Sequence, residues 1–154
     1  MNDTAMCAEP GICNMTGTYF HNVDTKGRIN FPAKLREQLG ETFWVSRGTS
    51  DKCLTVYSQA GWQDVMRQIG RLKGSAGEKL RRWICSGAAE VTPDKQGRIL
   101  IPLALRRFAR LDEDKEVVIL GAGRKAEIWS SKLWSEMEEA FDPSMDSVLE
   151  ELCL

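Results

Sequence analysis

A single histidine, His21, serves a chain of 154 residues. No cysteine or second histidine lies within a few residues of it, so it does not belong to a zinc-ligand cluster. No nucleophile motif accompanies it, which excludes a Ser/His/Asp set. Five cysteines are present, Cys7, Cys13, Cys53, Cys85 and Cys153, an odd count with no C-x-x-C pair. They read as reduced, structural or incidental thiols. No apolar run approaches the roughly 18 residues that span a bilayer. Residues Met1 to Met15 lack a basic segment followed by an apolar one, so they do not read as a signal peptide. The expected location is the cytoplasm. The chain also lacks an excess of charge, with 21 Lys and Arg against 22 Asp and Glu. That argues against a generally basic, nonspecific polyanion binder and leaves local patches open. Neither a P-loop nor an H-E-x-x-H motif occurs. Gly121-Ala122-Gly123 begins like a dinucleotide loop, but position 126 is Ala and a strand pattern follows, so it reads as a hairpin turn. The sequence is read as non-enzymatic, with no catalytic residue, cofactor or metal site assigned.

What the chain does have is one stretch written twice. Residues 24–36 read DTKGRINFPAKLR and residues 94–106 read DKQGRILIPLALR. Seven of thirteen positions are identical at a constant offset of 70, without a gap. A repeat of this kind fixes the architecture before any other reading.

The local patterns predict the elements of each copy. Thr18 to Val23 is rich in aromatic and β-branched residues and reads as a strand. Asp24 to Gly27 carries a type I turn signature, with Asp first and Gly fourth. Arg28 to Phe31 returns as a strand, with Ile29 and Phe31 on one face and Arg28 and Asn30 on the other. Pro32 is expected at the first helical position, followed by a short helix over Ala33 to Leu39 that Gly40 caps. Strands are expected at Phe43–Ser46 and Cys53–Tyr57. A helix over about Ala60 to Leu72 carries the stripe Trp62, Val65, Met66, Ile69 and Leu72. Gly74 to Gly77 is expected to break it, and Glu78 to Cys85 to start another. The second copy repeats the plan: a strand at Ala89–Thr92, a helix from Pro102 to about Arg110, then strands at Glu116–Leu120 and Ala126–Trp129. Ser130 or Ser131 should cap a last helix with the stripe Trp134, Met137 and Phe141. From Ser135 onward there is no Lys or Arg, and the end reads as an acidic, solvated tail.

Basic residues gather on the repeat. Lys26 and Arg28 sit at the first turn, with Lys34 and Arg36 on the helix after it. Lys95, Gln96 and Arg98 sit at the second turn, followed by Arg106, Arg107 and Arg110. Such patches neutralise phosphates even in a slightly acidic protein. Arg28 and Arg98 each follow an Asp by four residues, and two readings fit. The pairs Asp24–Arg28 and Asp94–Arg98 staple their turns, or each Asp holds a guanidinium in a fixed pose for bidentate contact with guanine O6 and N7.

Two copies of D-x-x-G-R-I-x-(F/I)-P-x-x-L-R, about 70 residues apart, resemble the MraZ family of bacterial DNA-binding regulators associated with division and cell-wall gene clusters. Each module resembles the AbrB-type swapped-hairpin element, also called the SpoVT-AbrB domain. The resemblance covers residues 17 to about 141. It implies a mainly β fold with α (α+β): tandem AbrB-like swapped-hairpin β-barrel modules with pseudo-twofold symmetry and packed helices. It implies a closed homo-oligomeric ring, commonly of eight or twelve subunits, on double-stranded DNA carrying repeated promoter boxes, in the nucleoid and away from membranes. The implied DNA-binding residues are Lys26, Arg28, Lys34, Arg36, Lys95, Gln96, Arg98 and Arg106, with Asp24, Gly27, Asp94 and Gly97 structuring the motif. Gln96, with Lys95 beside it, stands where the first copy has Lys26, so the two halves are not expected to contribute equally to DNA contact. A ring-forming protein-interaction scaffold on the same fold is the alternative reading.

The chain is thus expected to divide into a flexible extension (1–16), a first module (17–60), a helical bridge (61–85), a second module (86–130), and a C-terminal helix with an acidic tail (131–154). Met15 is a candidate natural start.

Overall fold

The computed structural model describes residues 14–142 and 146–152. Along the chain come β1 (Thr18–Asn22), β2 (Arg28–Asn30), α1 (Ala33–Leu39), β3 (Phe43–Arg47) and β4 (Leu54–Tyr57). Helices α2 (Gln59–Gly70) and α3 (Gly74–Ser86) follow. Then come β5 (Ala89–Val91), β6 (Arg98–Leu100), α4 (Leu103–Phe108), β7 (Glu116–Gly121), β8 (Ala126–Ser130), α5 (Ser131–Ala140) and α6 (Asp146–Leu149).

The pairing of these strands carries information that no local pattern holds. A six-stranded sheet runs in the order β1-β7-β8-β4-β3-β5, and β2 and β6 form a separate ribbon. All pairs are antiparallel. Strand β1 leaves its own half to pair with β7, from Thr18 opposite Leu120 to Asn22 opposite Glu116. Strand β5 does the reciprocal thing on β3, with Phe43 opposite Val91. The registers show the pseudo-twofold relation. In the ribbon, Arg28 faces Leu100 and Asn30 faces Arg98, with Ile29 and Ile99 at the centre. In the sheet, Leu54 faces Ile128 and Val56 faces Ala126, with Thr55 and Glu127 at the centre. The chain has the α+β architecture of tandem swapped-hairpin modules.

One core lies between ribbon and sheet. Ile29 and Ile99 of the ribbon, Phe43, Val45, Leu54 and Val56 of the first hairpin, and Val117, Ile119 and Ile128 of the second are all fully buried. Each such side chain contributes roughly 1.5–3 kcal/mol relative to an exposed one. Phe31 reaches Phe43 with ring centroids 5.3 Å apart.

The helices refine several expectations. Pro32 and Pro102 are N-cap residues rather than first helical residues, with ψ of 131° and 146°. Their extended ψ completes the bend out of the strand, while the Pro32 carbonyl already accepts the N–H groups of Leu35 and Arg36. Gly40 closes α1 with φ of 94°, and its N–H donates to the Arg36 carbonyl. Helix α3 begins at Gly74, so the break falls at 71–73 and not on the glycines. Gly77 fits inside the helix because a Cβ there would stand 2.7 Å from Leu72 Cβ. Close packing overrides the poor helix propensity of glycine. Arg81 bridges the break by donating to the carbonyls of Ile69 and Leu72, which satisfies the end of α2.

Ser58 caps α2 and Ser130 caps α5 through their hydroxyls. Trp62 on α2 stacks on Trp44 of β3 at 5.1 Å, and Trp134 on α5 meets Trp129 of β8 at 5.4 Å. The rest of the α5 stripe departs from expectation, because Met137 and Phe141 are exposed within the chain. At the other end, Met15 was expected in the flexible extension but is buried, its N–H donating to the Gly123 carbonyl. The remainder of that extension, residues 1–13, lies outside the described residues, as do Cys7, Cys13 and Cys153. Among the described residues no helix is long and apolar enough to cross a membrane.

Arg47 ties α3 to the sheet. Its Nη2 donates to the Trp83 carbonyl and the Ser86 hydroxyl, and its guanidinium carbon sits 3.7 Å over the Trp83 ring. A Cβ on Gly87 would collide with the Arg47 Nε.

Candidate nucleic-acid interface

Both copies of the Asp-x-x-Gly-Arg turn are built the same way. The Gly27 N–H donates to the Asp24 carbonyl at 3.0 Å, and the Asp24 N–H to the Arg28 carbonyl at 2.9 Å. The Asp24 carboxylate then works from both oxygens. Its Oδ1 accepts the backbone N–H groups of Lys26 at 2.9 Å and Arg28 at 2.8 Å. Its Oδ2 accepts the Arg28 Nε at 2.8 Å. In the second copy Asp94 takes the N–H groups of Gln96 and Arg98 and the Arg98 Nε, each at 2.9 Å. Gly27 and Gly97 have φ of 85° and 80°, a region glycine enters without strain. Each carboxylate is held below its ordinary pKa, first by the backbone N–H of Arg28 or Arg98 and then by the guanidinium of the same residue.

The turn staple and a guanidinium held in a fixed pose therefore coexist in one geometry. The carboxylate staples the turn and uses only the Nε of the arginine. Among the described residues no hydrogen bond engages the terminal nitrogens of Arg28 or Arg98, which form the outer edge of the fork. An arginine fixed at Nε with its outer nitrogens open suits bidentate recognition, because little side-chain freedom remains to be lost.

The two turns are also locked to each other. The Phe31 N–H donates to the Gly97 carbonyl at 2.9 Å, and the Ile101 N–H to the Gly27 carbonyl at 3.0 Å. Arg36 Nε donates to the Phe31 carbonyl and Arg106 Nε to the Ile101 carbonyl, both at 2.9 Å. The guanidinium of Arg36 then lies against Gly97, and that of Arg106 against Gly27. Each helix thus sends an arginine beneath the turn of the opposite half.

The residues singled out from sequence separate into three groups. Arg28 and Arg98 are half-buried and brought together by the ribbon, which pairs β2 with β6. Lys26, Lys95 and Gln96 are exposed at the turn tips, and Lys34 is exposed on α1. Arg36 and Arg106 are half-buried and serve the opposite turn through their Nε atoms, a role that sequence spacing did not reveal. Two exposed residues on the ribbon, Asn30 and Leu100, were not singled out. The strand alternation that places Arg28 outward also places position 30 outward, and that was the available signal. Among the described residues no group of three His, Cys, Asp or Glu side chains could hold a metal ion.

Comparison with known proteins agrees with this architecture. The family model described as MraZ protein matches residues 15–81 and again 84–152, once on each half. A relative from Heliobacterium modesticaldum, named transcriptional regulator MraZ, is 44% identical over 138 residues, covering 88% of this chain and 94% of its own. One of the same name from Caldanaerobacter subterraneus subsp. tengcongensis is 39% identical over 140 residues, covering 90% and 96%. Another from Moorella thermoacetica is 43% identical over 122 residues, covering 78% and 83%.

Proposed function

The chain belongs to the MraZ family, and from that premise we propose that it is a transcriptional regulator that binds double-stranded DNA sequence-specifically through the β2–β6 ribbon. The observation that carries this reading is the paired Asp24–Arg28 and Asp94–Arg98 geometry on one ribbon. A two-stranded ribbon fits the major groove, and an arginine fork matches guanine O6 and N7 there. Lys26, Lys95 and Lys34 contact phosphates at the edges, and the lysine of the second turn, Lys95, stands one position earlier than its counterpart Lys26, with Gln96 in the place of Lys26. Arg36 and Arg106 hold the turns in place from below and add positive potential.

One module touches only a few base pairs, so affinity for repeated boxes comes from several modules acting together. We propose a closed ring of eight or twelve chains, nucleoid-associated, on promoter boxes upstream of a division and cell-wall gene cluster. Two exposed apolar side chains, Phe20 on β1 and Phe141 at the C-cap of α5, supply surface for contacts between chains. The test is an electrophoretic shift with the protein's own upstream region at two salt concentrations. Arg28→Ala with Arg98→Ala should abolish the specific shift while the variant stays folded, and Lys34→Ala should weaken all sequences alike and flatten the salt dependence. A folded double variant with unchanged specific affinity overturns the proposal. Scrambling one of several boxes should cost affinity steeply; indifference to box number would refute the ring.

A further inference from the structure

The outer face of the ribbon is not symmetric, and the asymmetry lies in two side chains. Ile29 and Ile99 point into the core and are fully buried, so Arg28, Asn30, Arg98 and Leu100 share the opposite face. The register sets Arg28 beside Leu100 and Asn30 beside Arg98. The pseudo-twofold axis exchanges the two arginines, but it also exchanges Asn30 with Leu100, which have nothing chemical in common. Leu100 is 57% exposed between charged neighbours. The Asn30 side chain is exposed and makes no hydrogen bond among the described residues. Within the described residues Leu100 leaves apolar surface in water and Asn30 leaves its amide to solvent.

We propose that Asn30 and Leu100 are specificity-determining residues that read bases on the two sides of the arginine pair, so that each chain recognises an asymmetric box. This rests on the DNA-binding reading above. The occupant of the face follows from its charge. Arg28 and Arg98 flank both residues, and Lys26 and Lys95 stand at the two ends, which suits a polyanion and disfavours an apolar partner surface. In the major groove the one apolar group offered by a base edge is the C5 methyl of thymine, and leucine is the side chain that gains from covering it. An asparagine amide sets an N–H donor beside a carbonyl acceptor, and the two pair with adenine N7 and the N6 amino group respectively. A symmetric ribbon would read a palindrome. This ribbon reads a thymine near Leu100 and an adenine near Asn30, and it gives the box a direction.

The test begins by selecting the preferred box from a random duplex library with the full chain. Thymines are then replaced one at a time by deoxyuridine, which lacks only the methyl, and adenines by 7-deazaadenine, which lacks N7. Binding is read by fluorescence anisotropy. The expected result is one thymine at which deoxyuridine weakens the wild type about fourfold, the effect of losing one buried methyl. Leu100→Ala should be insensitive to that replacement and should keep the wild-type response to 7-deazaadenine. Asn30→Ala should show the converse. Leu100→Asn should shift the selected box toward a palindrome. Three outcomes overturn the inference: Leu100→Ala retains the deoxyuridine response; the box selected by Leu100→Asn is unchanged; or Leu100→Ala alters the mass of the assembly while base preferences persist, which would place Leu100 at a contact between chains. A wild type that enriches no sequence overturns the DNA-binding reading itself and this inference with it.

Discussion

The guanidinium of Arg106 lies so close to Gly27 that a Cβ on that glycine would stand 2.6 Å from its central carbon. Arg36 occupies the mirror position over Gly97. The contact makes glycine obligatory for two separate reasons, its positive φ and the plane of the arginine beneath it. Gly40 shares the first reason alone, since its φ is 94° and nothing stands near its absent Cβ. Gly40→Ala should therefore cost about 1–3 kcal/mol, the penalty of an extended backbone at positive φ, with ψ of −175°, that glycine alone ordinarily adopts. Gly27→Ala and Gly97→Ala should cost more, because an arginine anchored to a backbone carbonyl must also move. Urea denaturation of the three variants checks the order, and equal midpoints would show that the arginine contact carries no energy.

Lysine should not replace Arg28 or Arg98. The Asp24 and Asp94 carboxylates bind the Nε of each arginine, and a lysine has no second nitrogen to present outward once its ammonium is held. Arg28→Lys is expected to reduce specific DNA binding about 5- to 100-fold, the range of a lost bidentate base contact. Its circular dichroism and melting temperature should stay close to wild type. Competition binding against random duplex measures the loss, and full retention of specificity would mean that charge alone suffices.

Acid should loosen both turns together. The folded Asp24 and Asp94 carboxylates titrate below their ordinary value of 3.8. A depressed folded value contributes stability that is complete above the unfolded value and is lost as pH falls through the folded one. From neutral pH down to about 5 these groups should leave stability unchanged, and below 3.8 their contribution should fade. An NMR titration of the two carboxyl carbons tests this directly; midpoints above 3.8 would contradict the hydrogen-bonded geometry.

Arg47 offers a contrasting case, an arginine that works inside the fold. Its Nε is buried without a hydrogen-bond partner among the described residues, while its Nη2 serves α3 and its plane covers Trp83. Arg47→Ala should destabilise the protein by about 1–3 kcal/mol, and Trp83 emission should shift to the red as the ring becomes wetter. Denaturation monitored by fluorescence checks both, and an unshifted spectrum would place the stabilisation elsewhere.

Much of this molecule is legible in its sequence because its signals are local. The turn of Asp24, the bend at Pro32, the cap at Gly40 and the hydroxyl of Ser130 each act within four residues of themselves. Strand exchange is not local. The alternation in Thr18–Asn22 marks a strand without naming its partner, and nothing near Thr18 points to Leu120. The glycines at 74 and 77 misled for separate reasons, since Gly77 fits against Leu72 inside the helix while Gly74, with φ of 80° and open space around it, makes the turn into α3. Arg36 and Arg106 read as phosphate contacts on a helix face, and only the position of the opposite turn shows what lies against them. The asymmetry of Asn30 and Leu100 was visible in the aligned repeats, but its meaning depended on the register that sets each beside the other half's arginine.

The exchange of β1 and β5 has a consequence in time. During synthesis Thr18 emerges from the ribosome about a hundred residues before Leu120, its partner. At ordinary elongation rates this is roughly 5–20 s. Throughout that interval Tyr19, Phe20 and their unpaired backbone stand as an open edge beside other nascent chains on the same message. A copy that finishes first can lend its β7 to a neighbour that has not, so crowded translation favours entangled chains over single ones. Slow decoding between β1 and β7 would lengthen the exposure, which makes the rate at which this gene is read a determinant of how its product folds.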